Sequence, residues 1–529
     1  MSKNKKILLI SLLSVISFFS TLWIRGADLM ESRNFISARE IVINNEWFVT
    51  TLNGEYRFEK PPLPTWLTAA VMKISNNFSD EWLLRLPVAL ICLLLIYYIY
   101  KLVKIFSNSE NLAFITSFVA ATTFMLTKIG AENAWDAYPY VFMFGVITYL
   151  VTGVKTQKLS DFLLSGVLFA CSLLSKGPVA IYGMLLPFVL SYIYIYKFEE
   201  IRKNKTGILL SFVIGILLAI IWPVGMIIEN KDLFFSVLNK EKDTWTSKHV
   251  RGFFYYFNYF AYMGSWAIFS IVPFLKKWNF RDEKRNKFFR FGIIWNLLTL
   301  LFLSLIKMKK ERYGLPIYIV STIPVGIILD YYLNKKWELF KKFDRIIFYI
   351  QFILIVIVSL AGVFILKWKS YSLNFKNYWL FLIFIGLFIY IVVDLFKSYL
   401  REKDKFKKKI VLYSGLILVL VNVSLTWIIE KDIRGKNKNE HLLLETLQKS
   451  KLEYPIYSED FSIEDVWNVG KEVIKLTPEK KLPNKFYYLS GRKIDEKKFK
   501  EYKIELKDDF YRFKNNNKII YLYFLEKIK

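Results

Sequence analysis

What most constrains this chain is the recurrence of apolar runs of roughly 17 to 22 residues, each long enough as a helix to cross a bilayer's hydrocarbon core. About thirteen occur, near residues 6–24, 84–104, 111–128, 135–153, 160–175, 178–196, 207–228, 256–275, 289–306, 314–333, 345–366, 377–396 and 409–429. With 529 residues, 54% hydrophobic and 18% aromatic, the chain is too apolar for one soluble domain and too long for a simple anchor. The expected architecture is an all-α polytopic membrane domain over residues 1–430, with a loop at 25–82, followed by a small soluble α/β domain over 431–529. In that last segment a helix is predicted at 439–450, strands at Tyr454–Tyr457, Lys485–Leu489 and Ile519–Phe524, and a turn at 515–517. It carries no nucleotide-binding glycine loop and no catalytic cluster, so no chemistry is assigned to it. No fixed-period repeat is present.

A formal charge of +29 would suggest nucleic acid in a soluble protein. Here the basic residues cluster between apolar runs, and the positive-inside rule accounts for most of the excess with no nucleic-acid partner. Alternate connections carry Lys197–Lys205, Lys276–Lys287, Lys335–Lys342 and Arg401–Lys409, which predicts a cytoplasmic N-terminus, read as a retained helix rather than a cleaved signal. An odd number of spans then sets the C-terminal domain on the periplasmic or extracellular side of a plasma (inner) membrane. Cys92 and Cys171 both lie in apolar runs, so no disulfide framework or cysteine metal cluster is available.

The same threading sets the polar stretch Asp28–Trp66 outside, with amphipathic helices predicted along the interface at Ser32–Asn44 and Trp66–Ser75. Its sharpest feature is Glu59-Lys60-Pro61-Pro62, where two prolines fix the backbone just after an acid and a base. Other unusual polar groups fall on the same side: Lys128 and Glu132, Trp135-Asp136, Ser175-Lys176-Gly177-Pro178, Lys248-His249-Val250-Arg251, and Lys307 to Arg312 followed by Tyr313. Singly, Lys176 reads as a helix-end cap and Asp136 as an N-terminal helix charge. Together, on a face where basic runs are disfavoured, they point to an anionic ligand at the outer interface. The runs themselves are almost free of ionisable groups at mid-depth, with Asp330 and Asp394 near predicted cytoplasmic ends, which argues against a proton-coupled transporter.

The first loop with Ala38-Arg39-Glu40 and Trp47, the Phe58-Glu59-Lys60-Pro61-Pro62 run, Trp135-Asp136, Ser175-Lys176-Gly177 and Arg312-Tyr313-Gly314-Leu315-Pro316 resemble the polyprenyl-phosphate-sugar glycosyltransferases. This integral-membrane GT-C class includes the lipid A aminoarabinose transferases and the protein O-mannosyltransferases, and the resemblance covers roughly residues 1–330. It implies a sugar donor on undecaprenyl phosphate, transfer at the outer face to lipid A, another envelope glycan or protein, membrane lipids as surroundings, and no nucleotide. The family's adjacent Asp-Glu falls here on Met30 and Glu31, with Asp28 just upstream, so the first-loop acid is Asp28 or Glu31.

Transfer from a polyprenyl phosphate needs cations for the leaving phosphate and a carboxylate for the acceptor. Lys60, Arg251, Lys309, Arg312 and Tyr313 are the expected phosphate-binding residues, and Asp28, Glu31 and Asp136 the expected catalytic acids. Glu59 and His249, with a donor oxygen and water, would form an open zinc or magnesium site, an arrangement similar to some aminoarabinose transferases. The alternative is a solvated His249 with Glu59 paired to Lys60 or an arginine. A phosphoethanolamine transferase would need a soluble nucleophile-and-metal domain that this chain lacks. A lipid-linked sugar flippase, which leaves the glycosidic bond intact, is the alternative from another class.

Overall fold

The computed structural model describes residues 2–23, 26–370, 378–424, 452–477, 479, 481–511 and 519–528. The helix expected at 439–450 and the turn at 515–517 lie outside them. The chain divides into two units: Met1–Thr21, Phe58–Leu63 and Leu86–Ile428 form the first, and Leu22–Arg57, Pro64–Arg85 and Ile429–Lys529 the second. Most of the first loop is thus grouped with the C-terminal segment, where a cut at residue 430 assigns it to the membrane domain.

The first unit is a multi-pass helical bundle. Among the described residues eight helices are long and apolar enough to cross a membrane, or nine if the bent pair Glu110–Ala121 and Phe124–Gly130 is one span. The other expected spans coincide with Lys3–Phe19, with the shorter apolar stretches Ile181–Tyr196 and Gly264–Leu275, and with a helix at 403–424. Apolarity marked these segments; the first three are set apart by helix length and the last by the lysines that crowd its start. Ala137–Thr156 and Leu315–Asn334 are buried along nearly their whole lengths and form the centre. The first packs on Leu86–Ser107 and Leu159–Lys176, the second on Glu110–Ala121 and Glu283–Leu305. Peripheral helices such as Lys205–Ser247 turn Leu209, Leu217, Ile221 and Ile228 outward, as a chain solvated by lipid does. That 43-residue helix contains Pro223 and breaks at Asn230, whose φ of −155° and ψ of 90° leave the helical region.

The two acids near the expected cytoplasmic ends are paired: Asp330 with Arg285 at 2.7 Å, and Asp394 with Lys409 and the Tyr413 hydroxyl, each at 2.6 Å. Cys92 and Cys171 are free thiols.

In the second unit, five strands run in the spatial order Val473–Lys475, Ile456–Ser458, Lys485–Ser490, Ile519–Lys527, Tyr502–Tyr511, the first three parallel and the rest antiparallel. Helix Leu29–Asn44 does not lie free along an interface. Its Phe35, Ile36, Ala38 and Ile41 enter one core with Ile456, Val466, Trp467, Leu489 and Leu522. Asn53 ties the loop to the sheet, its amide accepting from Val473 N at 2.8 Å and donating to Val473 O at 2.9 Å. Glu40 accepts from the backbone N–H of Asn53 at 2.7 Å, and Arg39 lies over the Trp467 ring.

Candidate active site

Both central helices of the first unit begin at the same cluster. Asp136 occupies the N-cap position of Ala137–Thr156, and the 3₁₀ turn Glu311–Gly314 leads Arg312 and Tyr313 into Leu315–Asn334. Helix N-termini carry partial positive charge, so this end of the bundle favours anions before any side chain is counted. Leu159–Lys176 ends here as well. Gly177, at φ 66° and ψ −153°, holds a conformation nearly confined to glycine and stops the helix with Lys176 in its last turn. The Ser-Lys-Gly-Pro motif is therefore a device for aiming one ammonium.

Lys176 donates to Asp136 Oδ1, and Arg312 Nε stands 2.9 Å from Asp136 Oδ2. The Lys176 ammonium also lies over the Tyr313 ring at 4.2 Å, with Lys310 at 5.8 Å from the same ring. Burial alone would raise the Asp136 pKa, but Lys176 and Arg312, helped by Lys60, outweigh it and hold the carboxyl below its ordinary value. At Lys310, burial and the neighbouring Arg312 lower the ammonium's pKa despite Asp136. Lys60, in the stiff Glu-Lys-Pro-Pro run, pairs with Glu241 at 3.3 Å.

These groups adjoin a cavity of about 1240 Å³. Its walls are mostly apolar, including Leu173, Ile216, Ala219, Trp222, Val237 and Leu303, and Glu59, Lys60, Lys176, Glu241 and Tyr313 are among its polar lining residues. A π-helical turn at Ile181–Leu185 contributes Ile181 and Tyr182 to the wall. Pockets for ordinary small molecules span roughly 300 to 1,000 Å³. The larger, greasy space beside a cation cluster suits a lipid with an anionic head.

The expected residues are distributed unevenly. Lys60 and Tyr313 line the cavity, and Arg312 and Asp136 belong to the adjoining cluster. Lys309 is buried and gives its ammonium to the backbone carbonyls of Arg251, at 3.1 Å, and Ile306, so it braces the loop instead of facing the cavity. Arg251 is exposed and joined to that loop through its backbone, donating to the Lys307 carbonyl at 3.2 Å. Asp28 and Glu31 are in the second unit. Asp28 caps helix Leu29–Asn44, its Oδ1 accepting from the N–H groups of Met30 and Glu31. Glu31, fully buried, binds Arg85 through Nε at 2.8 Å and Nη2 at 3.0 Å, an engagement that leaves it no surface for substrate.

Glu59 lines the cavity; His249 does not. His249 is exposed at φ 52°, and Lys310, slight burial, Arg251, Arg312 and Lys248 push its pKa down. A neutral imidazole can ligate, but those cations repel a divalent ion, and among the described residues no three His, Cys, Asp or Glu side chains converge. The pair does not fit a metal centre built by protein ligands alone.

Lys176 and Lys310 were visible in their motifs, but their convergence on Asp136 and Tyr313 is tertiary. Glu241 gave no signal: it is one acid in the mixed run Asn239-Lys240-Glu241-Lys242-Asp243.

Residues 59–227 match the family described as dolichyl-phosphate-mannose-protein mannosyltransferase. The chain is 27% identical over 376 residues to a protein of Aquifex aeolicus, covering 70% of this chain and 81% of that one. It is 25% identical over 302 residues to the undecaprenyl phosphate-alpha-4-amino-4-deoxy-L-arabinose arabinosyl transferase of Shewanella sediminis, covering 55% of this chain and 53% of that enzyme. In three dimensions it resembles ArnT from Cupriavidus metallidurans, solved bound to undecaprenyl phosphate, with a TM-score of 0.73 at 16% identity over 99% of this chain and 98% of that one. At that identity the likeness establishes the fold.

Proposed function

We propose, for a chain that belongs to the polyprenyl-phosphate-sugar glycosyltransferases of the GT-C fold, transfer of a sugar from undecaprenyl phosphate to a cell-envelope acceptor at the outer face of the plasma membrane. Lipid A is the favoured acceptor, ahead of another glycan or a protein. The observation that carries the reading is the cation cluster of Lys60, Lys176, Lys310 and Arg312 beside a large, mostly apolar cavity. A prenyl chain fills the apolar space, and the phosphate meets the cations.

The reaction is a displacement at the anomeric carbon. The acceptor oxygen forms the new bond, the bond to the phosphate oxygen breaks, and the leaving group departs as a phosphate monoester with added negative charge. Cations held in place before that charge develops stabilise it without reorganising. Asp136 is a positioning residue in this scheme, because a carboxylate with a depressed pKa, engaged by Lys176 and Arg312, is a weak base. A phosphate acceptor arrives ionised and needs no base, and a hydroxyl acceptor gives up its proton to water.

The test is turnover of a labelled undecaprenyl-phosphate sugar by the purified full chain, with lipid A and other acceptors supplied in turn. Acceptor-dependent loss of the glycosidic bond is expected. Movement of intact lipid across the membrane with the bond preserved would establish the flippase instead.

A further inference from the structure

We infer that Glu241 competes with the lipid phosphate for Lys60 and so drives release of the spent carrier, an inference that rests on the reading of the cavity as the donor site. Both Glu241 carboxylate oxygens lie within hydrogen-bond reach of the Lys60 ammonium, at 3.3 and 3.4 Å, and both residues line the cavity. The pair is partly exposed, with 21% of the Lys60 side chain and 31% of the Glu241 side chain accessible, so an incoming anion can exchange for the carboxylate. Glu241 is carried on residues beyond the helix break at Asn230, separate from the apolar part of that helix.

The need for such a competitor follows from the charges. A sugar–phosphate–lipid diester carries one negative charge, whereas the released monoester approaches two near neutral pH. Lys60, Lys176, Lys242, Lys310 and Arg312 face Glu59, Asp136 and Glu241, an excess of two positive charges that suits the product better than the donor. The cluster that lowers the barrier therefore also holds the product back. Asp136 cannot relieve this, being committed to Lys176 and Arg312. Glu241 can, because returning to Lys60 replaces one phosphate contact with a carboxylate contact already tethered to the chain.

The discriminating variant is Glu241→Gln in the full chain, reconstituted in nanodiscs, with undecaprenyl phosphate as the probe. Its inhibition constant against the donor is expected to fall about threefold, as removal of a partly exposed competing ion pair predicts. KM for the donor should fall with it, and kcat should fall because release slows. In a Lys60→Ala background the same substitution relieves only direct repulsion of the phosphate and should lower the inhibition constant by less. A constant in Glu241→Gln that is unchanged or raised overturns the proposal and makes the pair a structural brace. Failure of the wild type to bind undecaprenyl phosphate would instead overturn the donor-site reading.

Discussion

Replacing Lys60 with alanine separates chemistry from folding more cleanly than any other substitution at this site. Its partner in the resting protein is Glu241 at 3.3 Å, with 21% and 31% of the two side chains exposed. A pair that open to solvent contributes about 0 to 1 kcal/mol, so the folded state should be nearly unaffected. In the transition state the same ammonium would donate to a phosphate gaining charge, and hydrogen bonds to charged groups are worth about 1.5 to 3 kcal/mol. That converts to roughly a 10- to 150-fold loss in kcat/KM. Glu241, left without its cation beside the incoming phosphate, adds to the loss in the same direction. The assay is transfer from labelled donor at matched amounts of folded protein, with thermal unfolding measured in the same detergent. Lys60→Arg should recover part of the rate, because it restores the charge but not the point geometry. Transfer within twofold of wild type by Lys60→Ala would remove Lys60 from the phosphate site.

Asp136→Asn should lower both transfer and stability, the latter by about 3 to 5 kcal/mol, because it leaves Lys176 and Arg312 without their buried counter-charge. Since the folded carboxyl titrates below the unfolded value of about 3.9, its contribution is whole above that pH and lost as pH falls through the folded value. The stability gap between wild type and variant should thus be flat from about pH 5 to 8 and close only in stronger acid. Trp467→Ala should destabilise the second unit by about 3 to 5 kcal/mol, read by thermal unfolding, because the ring is fully buried and its N–H donates to Glu81 at 2.9 Å. Neutralisation by fixed cations alone predicts that chelators and His249→Ala leave transfer unchanged; loss on chelation, restored by zinc or magnesium and abolished by Glu59→Gln, would reinstate the metal. For the proposed orientation, a cysteine at Lys248 should react with an impermeant thiol reagent in cells and one at Lys284 should not, and the opposite pattern would reverse the topology.

The membrane helices were legible because lipid imposes a single requirement, a long apolar segment, and the sequence meets it repeatedly. The strands Ile456–Ser458, Lys485–Ser490 and Ile519–Lys527 were anticipated within a few residues from their β-branched and aromatic content. Tyr502–Tyr511 was missed because it is an edge strand, crowded with charge as such strands are, with a register irregularity near Leu506 and Asp508. At the site, the motifs identified which short stretches matter but not which atoms meet. Lys309 and Lys310 are neighbours in one basic run, yet one is spent on backbone carbonyls and the other lies over Tyr313. Arg39 and Glu40 stand out in one dimension only as part of the motif that carries the family resemblance. Within their unit they stack on an indole and hold a turn.

The union of the first loop with the last sheet has a consequence for biosynthesis. The Phe35, Ile36, Ile41 and Leu84 side chains leave the ribosome early, but Ile456, Trp467 and Leu522, which cover them, come from the other end of the chain. At ordinary elongation rates the wait is on the order of tens of seconds. Throughout it the early segment has an apolar face that lacks its C-terminal cover, while the intervening helices are being inserted. A chain shortened before residue 452 would never close that core, so nascent copies should depend on chaperoning up to the final stretch of translation, and premature termination even near the end should mark the product for degradation.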